Sequence, residues 1–410
     1  MMQAVRPATE SPEDAVSRAA AGAAELYDPR DPSVVDDPFP AFKRLRDEAP
    51  VYKLRNEDVW VISRHRDVEA AMMDWRTFSS AKGNVIYEDP ARIGRTLTTN
   101  DPPRHDHLRR LIGAGYSPGR VKAHEARIGL LVEDMLGKID PGHFDFVSEF
   151  AAPLTGKVIG SLIGVPEGDL EHLRVAVDEA FVPTEAFPDG RGLKEVFDFM
   201  LDLVVRRRSA PRDDMLTAFI NAEDNGVSMS DQDIAVTCGS ILAAGFSSTA
   251  HQMSNILLAL HAAPDERRRL LDDLSLVPAM IEEGLRYDVG TMAFGRQTTR
   301  DVELHGVTIP EDSRVMLLLS SANRDERRFE DPDTFDLGRE DRRHISFNVG
   351  IHHCLGSSLA RLEMKIAFER LLPRIGEFDL DLGEARRVHS LNFRGFRSLP
   401  VRARQQGARP

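Results

Sequence analysis

Apolar residues recur at helical spacing along most of the chain, and strict alternation is confined to short stretches. "DPFPAFKRLRDEAP" at 37–50 predicts a short amphipathic helix, and "VYKLRNEDVWVIS" at 51–63 predicts two strands around a polar turn. "DVEAAMMDW" at 67–75 returns to helix, and a loop rich in turn residues at 79–103 leads into the helical "RHDHLRRLIGAGY" at 104–116. From 121 to 274 the pattern is nearly all helical, broken at "GVPEGD", "VPTEAFPDGRG" and "SAPRDD". "VELHGVTIPEDSRVMLLLSS" at 302–321 predicts a second hairpin with a glycine turn. Residues 322–350 then run without period, and such a stretch inside a packed domain is usually functional. The pattern shows no internal repeat and no linker between two cores. It predicts one large domain, mainly α with small β-sheets, over 31–405, after a flexible lead-in at 1–30.

Composition narrows the class. At 410 residues the chain buries a substantial core, and its net charge of −13 argues against a nucleic-acid binder. No apolar run suggests a membrane span, which needs ~20 residues, and the first residues lack the apolar core of a signal peptide. The expectation is a cytoplasmic protein that binds neither nucleic acid nor membrane. Two cysteines, Cys238 and Cys354, exclude a disulfide framework. Cys238 reads as a small core residue.

Two segments ask for chemistry. "ILAAGFSSTAHQ" at 241–252 places a glycine and three consecutive alcohols in mid-helix. Glycine there costs about 1 kcal/mol against alanine, and the alcohols compete for backbone carbonyls. "HISFNVGIHHCLGSSLARLEMKIAFERLL" at 344–372 places Cys354 just before a helix, where the dipole favours a thiolate. The residues alone leave three readings of Cys354. It is a buried structural cysteine, part of a zinc site with His344, His352 and His353, or a single axial thiolate to haem iron.

"FNVGIHHCLG" resembles the haem-binding signature of the cytochrome P450 family, with Phe347, Gly350, His352, Cys354 and Gly356 matching. Asn348 stands where the family usually has glycine, and asparagine tolerates positive φ better than other side chains. "EEGLR" supplies Glu283 and Arg286, similar to the family's Glu-x-x-Arg pair. The resemblance runs from about 36 to 402. It implies the cytochrome P450 fold, with heme b between the long central helix and the cysteine-loop helix. Cys354 becomes the iron ligand, framed by Phe347 and Gly356. His105, Arg109, Arg296, His344 and His352 become contacts to the haem and its propionates. Glu283 and Arg286, with Arg324 or Arg327, lock the irregular segment.

The family's central helix usually reads Ala-Gly-any-acid-Thr, followed by a second alcohol. Here Ala244 and Gly245 match, Ser247 replaces the acid, Ser248 replaces the threonine, and Thr249 follows. The resemblance implies that Gly245 makes room over the haem and that Ser248 and Thr249 open the helix to water. Ser247, with His251 behind it, relays protons but stores none near neutral pH. The implied reaction inserts one oxygen atom of O2 into a small or medium apolar or aromatic substrate, by hydroxylation or oxidative dealkylation. The missing acid keeps two alternatives open: peroxide-driven or unusual chemistry, and a haem carrier or sensor without turnover.

The implied substrate wall holds Ile86, Tyr87, Phe181, Leu242, Phe246, Met292, Phe294 and Phe393. Gly290, where relatives often have proline, is expected to loosen it, and Lys82 is a candidate partner for a substrate carboxylate. Electrons are expected from NAD(P)H through a ferredoxin reductase and a ferredoxin. The ferredoxin would dock on a basic patch of Arg104, Arg110, Arg342, Arg343 and Arg361. A monomer is expected.

Overall fold

The computed structural model describes residues 25–116, 118–181 and 191–404. Six helices position the site: α1 (Phe39–Glu48), α2 (Arg104–Gly113), α3 (Ala152–Ile163), α4 (Asp231–Ala262), α5 (Val277–Tyr287) and α6 (Ser357–Ile375). Five strands form the main sheet: β1 (Val51–Lys53), β2 (Val59–Ile62), β3 (Phe78–Ser79), β4 (Ala293–Thr298) and β5 (Arg314–Leu318), in the order β1-β2-β5-β4-β3. β2 and β5 run parallel, and the other pairs are antiparallel. β5 is apolar and buried from Val315 to Leu318, as a central strand covered on both faces must be. The second sequence hairpin is smaller than expected. It joins Val302–Leu304 to Val307–Ile309 through His305 and Gly306, both at positive φ, and β5 leaves it to enter the main sheet.

The helical half packs around α4. Ser230 caps it by accepting from the Asp233 N–H at 3.1 Å. α3 and α4 meet closely because each gives the other a glycine. A Cβ on Gly156 would stand 2.8 Å from the Phe246 ring, and a Cβ on Gly245 would stand 2.7 Å from Ile159. The Thr155 hydroxyl donates to the Phe246 carbonyl at 2.7 Å, tying the two helices at the same level. Two segments, Phe146–Ile163 and Asp231–Ala262, are long and apolar enough by length and composition to cross a membrane, contrary to the sequence reading. In both, 67% of the apolar window is buried in the protein, as befits core helices.

The packed body also starts earlier than residue 31. Tyr27 is buried, with its ring 5.6 Å from Phe42 of α1. A single aromatic in a polar lead-in gave no period from which to read this. Phe181 ends the helix Leu170–Phe181, and its side chain lies outside the described residues.

Candidate active site

The irregular segment before Cys354 is shaped by a buried ion pair. Arg286 on α5 donates to Glu283 through Nε and Nη2 at 2.9 and 2.7 Å, and both side chains are 0% exposed. The remaining Arg286 donors reach the carbonyls of Asn323, Pro332 and Thr334. Glu283 also accepts from the Asp336 N–H and from Arg339 Nε, both at 3.1 Å. The third member is therefore Arg339. Arg324 instead binds the Tyr287 carbonyl and Asp333, and Arg327 pairs with Asp47, Asp325 and Glu326.

The cysteine loop follows. Asn348 adopts φ +61°, as its side chain allows, and Gly350 adopts φ +67°. The Cys354 N–H donates to the Phe347 carbonyl at 2.8 Å and closes the loop just before α6. The thiol is enclosed by protein yet open to an interior cavity of about 310 Å³. Burial pushes the thiol pKa up, while the Gly356 and Ser357 N–H groups and Arg109 and Arg361 pull it back. Phe347, His352 and Gly356 line the same cavity, and Arg361 stacks over the Phe347 ring at 4.5 Å.

Around this cavity buried donors lack acceptors. Arg296 is buried and among the described residues bonds only the neighbouring Gly295 carbonyl, at 2.7 Å, and burial lowers its pKa to about 10. The His105 and His352 rings meet at 4.8 Å, and Nε2 of each is buried without a partner. Burial, then Arg296, His105 and Arg109, hold His352 down at about 2, so it is neutral. Arg109 also faces the cavity and donates to the Ile351 and His353 carbonyls at 2.9 and 3.1 Å. His105 Nδ1 donates to Asp106 at 2.9 Å. A thiol in one cavity with the guanidinium groups of Arg296 and Arg109 and the unpartnered His352 ring fits a flat group with a metal centre and carboxylate arms. His344 departs from the expected set. It stands 3.3 Å from Glu282, accepts from the Ser346 N–H, and does not line the cavity. Among the described residues no three His, Cys, Asp or Glu side chains converge as metal ligands, so the zinc reading of Cys354 finds no geometry.

The α4 face over the cavity is mostly small and polar, with Thr237, Ser240, Ala244, Gly245, Ser248 and Thr249, and Ile241 as its one large apolar side chain. Ser248 donates to the Ala244 carbonyl at 2.7 Å, one turn back. Gly245 lines the cavity, but the space its side chain would take belongs to Ile159, so helix packing requires this glycine. Ser247 does not line the cavity. His251 is buried outside the lining, and burial lowers its pKa to about 4.

The expected substrate wall needs correction. Phe294 and Phe393 line the cavity, whereas Leu242 and Phe246 point into the helical core and Met292 into the core beside the sheet. Choosing the largest apolar residues of α4 selected its core face, and the cavity lies on the other face. Ile86 is buried against the sheet, and Tyr87 is 60% exposed and hydrogen-bonded to Glu57. Gly290 does not loosen the wall. A Cβ there would stand 2.8 Å from the Ser248 carbonyl and 2.9 Å from the Gln252 nitrogen, so its backbone rests directly on α4. Lys82 is exposed beside Asp312 and away from the cavity.

Two charged lining residues escaped the sequence reading. Arg92, in the turn-rich loop, is buried and paired with Glu88. Glu363 on α6 is the one carboxylate among the described lining residues, and burial raises its pKa to about 8. Both read from sequence as solvated charges, and no local signal marks them otherwise. The expected basic patch is largely neutralised by the chain itself. Arg104 pairs with Asp233, Arg110 with Asp224, Arg343 with Asp341 and Arg361 with Glu282, while Arg342 donates to the Leu337 carbonyl.

The family profile described as cytochrome P450 matches residues 177–394. The chain is 35% identical over 388 residues to the putative cytochrome P450 123 of Mycobacterium tuberculosis, covering 92% of this chain and 96% of that protein. It is 34% identical to 6-deoxyerythronolide B hydroxylase of Saccharopolyspora erythraea, covering 89% and 96%. Among solved structures it is similar to ligand-free cytochrome P450 TbtJ1, with TM-score 0.82, 35% identity and coverage of 90% and 98%. It also resembles the Bacillus subtilis bacillaene polyketide synthase cytochrome P450 PksS, with TM-score 0.85, 28% identity and coverage of 92% and 100%. With the thiol loop, the buried Glu-x-x-Arg pair and the long central helix in place, the chain belongs to the cytochrome P450 family and is an oxygenating oxidoreductase of it.

Proposed function

We propose that this chain is a haem-thiolate monooxygenase that oxygenates a small or medium organic molecule, with Cys354 as the iron ligand. The observation that carries this reading is the accessible Cys354 thiol in one cavity with Arg296, His352 and Arg109, where His352 Nε2 is buried without a partner and Arg296 bonds only its neighbouring carbonyl. Haem bound through a cysteine thiolate supplies the reductive activation of dioxygen. The residues of the chain hold, orient and exclude water. Arg109, Arg296 and His352 would receive the carboxylate arms, with His105 packed behind His352 and held by Asp106, and His344 serves instead to accept the Ser346 N–H beside Glu282. The Gly356 and Ser357 N–H groups stabilise negative charge on the Cys354 sulfur.

On the α4 side the Ser248 proton is committed to Ala244, so its oxygen is left to accept from water, and Thr249 stands beside it on the cavity wall. Ser247 replaces the family's acid, and His251 is neutral at pH 7, so neither stores a proton there. Glu363 is protonated at neutral pH and lines the same cavity. Electrons come from NAD(P)H through a reductase and a ferredoxin, since two cysteines do not hold a four-cysteine cluster. The working form is a cytoplasmic monomer. The test is the carbon monoxide difference spectrum of the reduced protein. A thiolate-type Soret band is expected, and Cys354→Ser should abolish it. Retention of the band in that variant would remove Cys354 from the ligand role.

A further inference from the structure

The loop at 79–103 brings one buried guanidinium to the cavity wall. Arg92 is 7% exposed, and its Nη1 donates to Glu88 Oε1 at 2.6 Å. Glu88 is buried behind it, held by the Asn84 N–H at 2.8 Å, and does not line the cavity. On the cavity side Arg92 makes only long contacts: Nη2 to Thr98 Oγ1 at 3.2 Å and to Asn84 Oδ1 at 3.3 Å, and Nε to Ser240 Oγ of α4 at 3.4 Å. A guanidinium bonded to a good acceptor closes to about 2.7–2.9 Å. One turn from Ser240, the Thr237 hydroxyl is buried, lines the cavity and has no partner.

This end of the cavity therefore offers a surplus of donors. The wall elsewhere is largely apolar, including Val85, Leu97, Ile241, Val289, Phe294 and Phe393. A hydrocarbon closing over Arg92 would strip its water and return no hydrogen bond. An oxygen acceptor would satisfy the guanidinium and the hydroxyls together. We propose that Arg92, with Ser240 and Thr98, is the specificity-determining pole of this cavity. It anchors an acceptor oxygen of the substrate, a carbonyl or a carboxylate, and turns the opposite end towards the Cys354 side. Glu88 offsets the charge of Arg92, so the pole recognises acceptor geometry without requiring an anion. The inference rests on reading the cavity as a haem and substrate site.

The test uses the holoenzyme and ligand-induced Soret shifts with three matched probes: 2-ethylnaphthalene, 2-acetylnaphthalene and 2-naphthoate. The wild type is expected to bind at least one oxygenated probe about tenfold tighter than 2-ethylnaphthalene. The identity of that probe separates carbonyl from carboxylate. In Arg92→Leu the affinity ratio should collapse towards one. A residue that only staples the loop would weaken all three probes alike and leave the ratio standing, which overturns the proposal. So does a wild type with no preference, or with no shift for any probe. If Arg92→Leu does not retain haem, Ser240→Ala decides, since it keeps the Arg92–Glu88 pair. The ratio should then fall about threefold, and an unchanged ratio counts against the pole. The wild-type carbon monoxide spectrum reports separately on the haem-thiolate reading.

Discussion

Two buried charge clusters flank the irregular segment, and they are built on opposite rules. In the Glu283–Arg286–Arg339 cluster the Glu283 oxygens and the Arg286 nitrogens find partners inside the chain. Around the cavity, by contrast, Arg296 bonds only the neighbouring Gly295 carbonyl among the described residues, and His352 Nε2 is buried without a partner; both side chains line the cavity. Complete pairing identifies a scaffold, because a buried charge is tolerated only when the chain satisfies it. Incomplete pairing identifies a seat for something the chain does not encode. The largest effect should therefore follow from breaking the complete cluster. Arg286→Leu takes from buried Glu283 its two-bond partner, leaving only Arg339 and the Asp336 N–H, and strips the Asn323, Pro332 and Thr334 carbonyls of their donor, at a cost of about 3–5 kcal/mol. Thermal unfolding should show that loss whether or not haem is added.

The incomplete cluster should respond with opposite signs in two states. Arg296→Leu removes a desolvated charge, so the haem-free chain should gain ~1 kcal/mol in denaturant unfolding. The same change deletes a partner for a carboxylate, so haem retention against an external acceptor protein should weaken about thirtyfold, near 2 kcal/mol. A loss of stability in the haem-free chain would mean that Arg296 is paired structurally after all. The contrast with Arg286 would then disappear.

Much of the proximal architecture was legible because its signals are local. The positive φ at Asn348 and Gly350, the cysteine before a helix, and Glu and Arg at i and i+3 each constrain their own few residues. The distal cavity was not legible, because what lines it depends on which face of α4 turns inward. Leu242 and Phe246 pack into the core, while Ile241, as bulky as Leu242, turns to the cavity with the glycine, alanines and alcohols, so side-chain size alone does not tell the two faces apart. Arg92, Glu363 and Tyr27 illustrate the same limit. Each is buried because elements distant in sequence close over it.

Glu363 belongs to neither cluster, since its carboxyl is buried with Oε1 unpartnered and burial alone shifts it. Its pKa rises from 4.5 to about 8, so between those values the folded chain holds a proton that the unfolded chain has lost. Stability must therefore fall as pH rises through that window. The contribution is on the order of 3–4 kcal/mol between pH 5 and 8. Glu363→Gln keeps the shape and should remove that slope from the melting temperature. An identical pH profile would place a hydrogen-bonding partner on the carboxylate.

The smallest effect tests pairing at the surface, where the same logic should nearly vanish. Arg110 holds Asp224 through two bonds at 3.0 and 2.8 Å, and His107 adds a third at 2.7 Å. These bonds, led by Arg110, lower the Asp224 pKa to about 2, so the pair is ionised and locally neutral at pH 7. An exposed pair of this kind is worth ~1 kcal/mol or less, and it offers the proposed acidic ferredoxin little net field. Arg110→Gln alone should expose the Asp224 charge and slow ferredoxin association several-fold at low salt. Arg110→Gln with Asp224→Asn removes both charges, and the association rate should return to within about twofold of wild type. Stopped-flow reduction at two ionic strengths reads both variants. A double variant as slow as the single one would show that Arg110 leaves Asp224 to meet the partner. In that case it would join the cavity arginines as a donor held in reserve, not a finished pair.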